Sequence, residues 1–480
     1  MTSEKLSIRE KVGFGLGDAA ANFIFQAMMM YQLNFYTEAF GLTAGLAGVL
    51  FLVGRLYGAI ADPIMGGIAD RTNTRWGKFR PWILWTAIPF GIIGFLAFTT
   101  PNFGSTFKIV YAFATYILLM SIYSMNNVPY SALSGVITGD QKQRTSLFSY
   151  RFIIVVLAIL AIQGFVLPMV SHFGQGDKAH GWQITMAIFS ALAILFFFLT
   201  FSWTKERVKP NPEQKQSLKQ DIKDLISNRP WVIMFGVFVL MFIFLGIRNS
   251  VLIYYFQNYL NVDSMKTFMD HMNAGLGGIV ETVFSSDKAK VADSVYSITN
   301  ILGQLATILG IIISSYLSVK YGKRNVFIFG LILSLICATS FFFAAPDAIM
   351  MVLVLQILYN FCWGITMQLP WAMMADVADY GDWKNNRRST AIVFAGIVIG
   401  LKVGLAIGGA LSGFLLSGYG YVANALQSET AINGIRLTTS IFPSIALTLL
   451  IILLFFYKID QKTEIQMQDE LAARRKSYNE

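Results

Sequence analysis

The chain has 480 residues, of which 55% are hydrophobic and 13% charged, with a mean hydropathy of +0.56 and a formal net charge of +10. A soluble globular chain carries about 25% charged residues, so an ordinary soluble domain is excluded. Two cysteines and three histidines offer no disulfide framework, metal spacing or nucleophile–base pair, and neither a metal-dependent protein nor an enzyme is expected.

The first residues, MTSEKLSIREK, are charged and lack an apolar core, so the segment that follows is expected to remain as a helix rather than be cleaved. A bilayer core of about 30 Å needs about 20 apolar residues per helix. Twelve stretches qualify: 12–36, 44–69, 81–100, 107–136, 146–170, 181–204, 231–259, 291–319, 325–345, 347–375, 390–420 and 436–457. The expected fold is all-α, a polytopic membrane protein of twelve transmembrane helices in two six-helix halves. The halves are 1–204 and 231–457, joined by a linker at 205–230; an outer loop at 260–290 is unusually long, and a tail follows at 458–480.

Charge sets the orientation. With the N-terminus cytoplasmic, the inner segments hold 27 of the 37 Lys and Arg and the outer loops six, the bias expected of cytoplasmic loops. The basic balance therefore reflects topology in a lipid bilayer, not nucleic-acid binding, and both termini are placed inside. The outer loop contains an amphipathic stretch, SMKTFMDHM, which reads as a surface helix or a lid, and a glycine patch, AGLGG. The tail reads as a solvated helix.

The two halves echo each other. Helix 4 ends NNVPYSAL before GDQKQRTS, and helix 10 ends MQLPWAMM before GDWKNNRRST. A Pro-aromatic pair, Pro129-Tyr130 or Pro370-Trp371, thus precedes a charged turn in each. Such a repeat fits transporters whose binding site lies near the midplane between the halves.

Charge inside a span costs at least about 2.5–3.5 kcal/mol on insertion scales, so each such residue needs a reason. Asp62 lies about two turns inside helix 2, where a carboxylate can take up and release a proton or pair with Arg55 or Arg151. Polar stripes at helical spacing run along helix 1 (Asp18, Asn22, Gln26), helix 4 (Ser124, Asn127, Ser131, Ser134) and helix 8 (Tyr296, Asn300, Gln304). With Arg151 on helix 5 and Lys402 on helix 11, they point to a polar cavity. Amides and arginine beside aromatic rings suit a sugar; Tyr123, Tyr130, Tyr359, Trp363 and Trp371 are available for its apolar face, although most membrane aromatics face lipid or core.

The runs GFGLGDAAANF, RLYGAIADPIMGGIADRTNTRWGKFRPWIL and MADVADYGDWK closely resemble the glycoside–pentoside–hexuronide:cation symporters, the melibiose-permease branch of the major facilitator superfamily. The likeness runs from about residue 8 to 475. It implies the major facilitator fold and uptake of a sugar or glycoside with a cation by alternating access, in a protein of the cell inner membrane that is monomeric. By resemblance, the substrate contacts fall on Asn22, Asn127, Arg151, Lys402 and Ser131, with Tyr123 beside them. Asn22 and Asn127 stand where the family type has acids, and Ser131 where it has a stacking aromatic, which removes the basis for a galactoside preference.

The family's sodium cage maps onto Gly58, Ala61, Asp62 and Ser124, so one carboxylate and one amide are missing. Sodium wants several oxygen ligands, whereas a proton needs one titratable group. The coupling pair is therefore Asp62 with Ser124, and the coupling ion is expected to be a proton. Sodium held by backbone carbonyls, loss of coupling, and an exporter or carrier of lipid-like solutes remain as alternatives. No cofactor is expected.

Overall fold

The computed structural model describes residues 6–102, 104–138, 141–207, 225–275, 284–285, 287–288, 290–385, 390–467 and 470. Most of the linker (208–224), the glycine patch beyond Gly275, part of the turn after helix 10 (386–389) and the tail after Glu470 lie outside them. The described regular structure is helical. α1 spans Ile8–Asn34 and runs into a π-helical segment, Phe35–Phe40. There follow α2 (Ala44–Arg71), α3 (Arg80–Leu96), α4 (Ser105–Ile137), α5 (Gln141–Gly174) and α6 (Lys178–Trp203). The later helices are α7 (Arg229–Asn258), α8 (Val262–Gly275), α9 (Val291–Tyr321), α10 (Lys323–Ser340) and α11 (Ile349–Met367). The last four are α12 (Leu369–Asn385), α13 (Thr390–Gly418), α14 (Glu429–Thr439) and α15 (Ile441–Phe455).

Among the described residues, ten helical spans are long and apolar enough to cross a membrane. α3, with 17 residues, is apolar but short, and α1 falls outside the ten. Counting both gives twelve, which fits the expected fold. Two expected spans are each built from two helices. The tenth breaks at Gln368, where Pro370 cannot donate an N–H to Thr366, and the twelfth breaks at Ser440, three residues before Pro443. Helix starts are capped from the sequence: Ser7, Thr43, Asp177 and Asn228 accept backbone N–H groups of α1, α2, α6 and α7.

The chain forms two compact units. The first comprises Met1–Glu213, Met269–Ser297 and Ala410–Ala431; the second comprises Gln214–Phe268, Ile298–Gly409 and Ile432–Glu480. In the first, α1 packs on α5 and α6, α3 on α4 and α6, and α2 on α4. The start of the linker is tied back by Arg207, whose guanidinium donates to both Glu10 oxygens at 2.5 and 3.0 Å. Residues near 420 join this unit through Glu38. Its carboxylate accepts from the Tyr421 hydroxyl and from the Asn424 backbone N–H (3.2 Å), and Lys178 lies 3.6 Å away. In the second unit α7 packs on α15 and α10 on α11 and α15, around a core that includes Phe238, Phe327, Met373 and Leu447.

The motif RWGKFRPW closes the turn between α2 and α3. Gly77 adopts φ +111°, a left-handed region that a side chain disfavours. The Glu206 carboxylate then accepts the backbone N–H groups of Lys78, Phe79 and Arg80 at 2.8, 2.8 and 2.9 Å. A Cβ on Gly77 would fall on that carboxyl group. Arg80 completes the fixture by donating to the Phe201 carbonyl at 2.6 Å.

The outer-loop stretch forms α8, with Met265 and Met269 buried. The described part of the tail is less solvated than expected: residues 461–467 are helical, Met467 is buried, and Glu464 lies 2.9 Å from Lys323.

Candidate functional site

The polar groups expected inside the first unit come together on α1, α2, α4 and α5. On α1, the turn spacing stacks Asp18, Asn22 and Gln26 on one face. The Asn22 amide donates to the Asp18 carbonyl (2.8 Å) and to its carboxylate (3.1 Å), and Gln26 donates to Asn22 Oδ1 at 3.3 Å. Packing of α5 against this face brings in Arg151, whose Nε donates to Asp18 Oδ2 at 2.5 Å. The side chains of this pair are only 20% and 10% exposed. The guanidinium also lies over the rings of Tyr130 and Phe148, 5.4 and 5.7 Å from their centroids, where an aromatic face favours a cation.

α4 supplies the facing wall. The Ser124 hydroxyl donates to Asp62 Oδ1 at 2.6 Å, joining α4 to α2. Ser124 is buried and Asp62 half-buried. One residue before Ser124, Tyr123 stacks on Phe25 with ring centroids 5.3 Å apart. Asn127 is half-buried one turn further along α4, and Ser131 is exposed beyond it.

The other candidates separate. Tyr130 is fully buried; its hydroxyl donates to the Phe14 carbonyl at 2.6 Å and its ring stacks on Phe14, which makes it a structural bolt between α1 and α4. Arg55 donates to the Tyr116 hydroxyl at 3.3 Å. Lys402 is half-buried on α13 in the second unit. There, Tyr359 and Trp363 stack on each other beneath a buried Arg248, which donates to Gln356 Oε1 (2.8 Å) and the Thr439 carbonyl (3.0 Å). Trp371 packs edge-on against Phe238.

Asp18 is the member of the site that the sequence leaves without a role. Its only signal there is the one-turn offset from Asn22; its partner is 133 residues away. Chemically, the cluster combines a charge pair, amides that donate and accept, and a second carboxylate held by a hydroxyl. Such groups can bind a polyhydroxylated solute and hold a small cation or a proton.

A helical membrane protein that gathers carboxylates, an arginine and amides inside its bundle has the build of a polytopic transporter. The chain matches the family model described as MFS/sugar transport protein over residues 13–290 and 282–461, and it belongs to that family. It is 34% identical over 477 residues to the putative glycoside/cation symporter YagG of Escherichia coli K12, covering 99% of this chain and 97% of that one. It is 32% identical over 475 residues to the isoprimeverose transporter of Lactiplantibacillus pentosus, covering 98% and 92%. Among solved structures, a bacterial homolog of the human lysosomal transporter Spinster, inward-facing and unoccupied, superposes with a TM-score of 0.64 at 14% identity. That likeness covers 96% of this chain and 98% of the other, and it concerns the fold alone. The resemblance carried by the sequence motifs thus extends over the whole chain, and the protein is a transporter, not an enzyme.

Proposed function

We propose that the protein imports a sugar or glycoside across the inner membrane by proton symport, with Asp62 as the proton carrier. The observation that carries this reading is the bond from the Ser124 hydroxyl to the Asp62 carboxylate, 2.6 Å long, inside an apolar span. Gly58 and Ala61 bring no side-chain oxygen to that place. A proton needs only the carboxylate, whereas sodium wants several oxygen ligands. The names of the relatives support the substrate class: one is named a putative glycoside/cation symporter and another an isoprimeverose transporter.

In this reading Asn22, Asn127, Arg151, Ser131, Tyr123 and Lys402 contact the sugar. Protonation of Asp62 from outside removes a charge from the bundle. Sugar then engages the amide face, competing with Asp18 for Arg151, and the doubly loaded protein rocks between outward and inward states. The Lys and Arg bias places both termini in the cytoplasm, and a monomer suffices.

The test is uptake of a panel of labelled xylosides, glucosides, glucuronides and galactosides into proteoliposomes under an imposed pH or sodium gradient. The expected result is accumulation of at least one glycoside driven by the pH gradient alone, with Asp62→Asn reduced to equilibration without accumulation. Uptake stimulated by sodium and indifferent to the pH gradient would overturn the coupling assignment.

A further inference from the structure

A cavity of about 450 Å³ lies within the second unit and away from the residues above. It forms where α7 begins and α15 ends, with α12 alongside. Three cationic side chains line it: Arg229 at the start of α7, Lys384 near the end of α12, and Lys458 just after α15. No carboxylate is among its lining residues, and none of the three has an ion-pair partner among the described residues. Ser227, Asn228 and Tyr380 add hydroxyl and amide groups. Three cations that have no ion-pair partner among the described residues converge on one cavity, beside the positive end of a helix; they make a receptor for a multiply accepting anion, and phosphate oxygens fit that chemistry.

The level of the cavity distinguishes a lipid from a free ion. The spans Arg229–Asn258 and Glu429–Phe455 begin and end at it, so it stands at the edge of the hydrocarbon layer, where headgroup phosphates sit. Its rim carries apolar surface: Phe456 is 64% exposed, and Ile233 lines the wall. Phe455 and Val232 are exposed next to them. A soluble phosphate leaves these side chains uncovered, whereas an acyl chain covers them. By the Lys and Arg bias, this end faces the cytoplasm.

We propose that this cavity binds the phosphodiester headgroup of an anionic phospholipid from the cytoplasmic leaflet, with Arg229, Lys384 and Lys458 as its charge partners. The site is independent of the sugar and coupling groups, so the transport reading can fail without it.

The experiment is thermal unfolding, with native mass spectrometry, of the purified full-length protein in micelles titrated with phosphatidylglycerol. Phosphatidylcholine, inorganic phosphate and glycerol 3-phosphate form the comparison arms. The expected result is saturable binding and a raised melting temperature with phosphatidylglycerol only. The triple variant R229Q/K384Q/K458Q is expected to bind it roughly a hundredfold more weakly, from about fivefold per cation, with its melting temperature in phosphatidylcholine unchanged. If the triple variant does not fold, K458Q alone, at an exposed side chain, is expected to lose about fivefold. Undiminished phosphatidylglycerol binding by the variants overturns the site. Glycerol 3-phosphate or phosphate binding as tightly as the lipid, and lost in the variants, overturns the lipid assignment in favour of a soluble anion.

Discussion

Arg151 and Asp18, 133 positions apart in the chain, meet at 2.5 Å, and Asn22 donates to the same carboxylate. The pair therefore sets both the charge and the hydrogen-bonding direction of the polar face of α1. Arg151 is held in place before any solute arrives.

Breaking such a pair leaves an uncompensated charge, at a cost of about 3–5 kcal/mol when fully buried. Since Arg151 retains 20% exposure, a loss of about 2–3 kcal/mol is the expectation for D18N or R151Q alone. The double variant D18N/R151Q should recover more than half of it, because neither charge is stranded. Uptake should vanish in all three. Unfolding measured beside transport separates the two effects: full stability in either single variant would show that the pair is not a structural unit.

The parts of the fold that could be read from residues alone are those with a local cause. Apolar runs and caps such as Asp177 follow from neighbours in the chain. The breaks at Gln368 and Ser440 are also local, since Pro370 and Pro443 advertise them, but a hydropathy pattern runs straight across both. The contacts of the site are different. Ser124 and Asp62 come together across 62 positions, and their pairing was reachable only through the family resemblance. Neither the bond from Arg151 to Asp18 nor the clamp of Glu206 on the turn after α2 has any periodicity to betray it, because each depends on which helix packs beside which.

The Glu206 clamp yields the second prediction. One carboxylate satisfies three successive backbone donors at 2.8–2.9 Å, and hydrogen bonds to charged groups are worth about 1.5–3 kcal/mol each. Water replaces part of this, so Glu206→Ala should cost about 2–4 kcal/mol. Gly77→Ala is expected to be as damaging, since its backbone has φ +111° and the new methyl meets Glu206. Gly67→Ala is the control: it lies within α2, with nothing within 4 Å of the added methyl. Equal unfolding midpoints for the two glycine variants would refute the clamp.

The third prediction concerns the motif MADVADYGDWK and the tail. Lys323 donates to both Asp376 oxygens at 2.7 Å and lies 2.9 Å from Glu464 in the helical segment after α15. The Asp376 side chain is 9% exposed and that of Glu464 19%. The three removals are therefore unequal. Glu464→Gln leaves the tight pair intact and should cost no more than about 1 kcal/mol. Lys323→Gln removes the cation shared by two carboxylates, one of them buried, and should cost about 3 kcal/mol or more. Adding Asp376→Asn to Lys323→Gln should restore part of that loss, since only the more exposed Glu464 then remains charged. Denaturation of the purified variants at neutral pH reads all of these. An order in which Glu464→Gln is the most damaging would show that the tail, not the buried aspartate, is the partner that Lys323 serves.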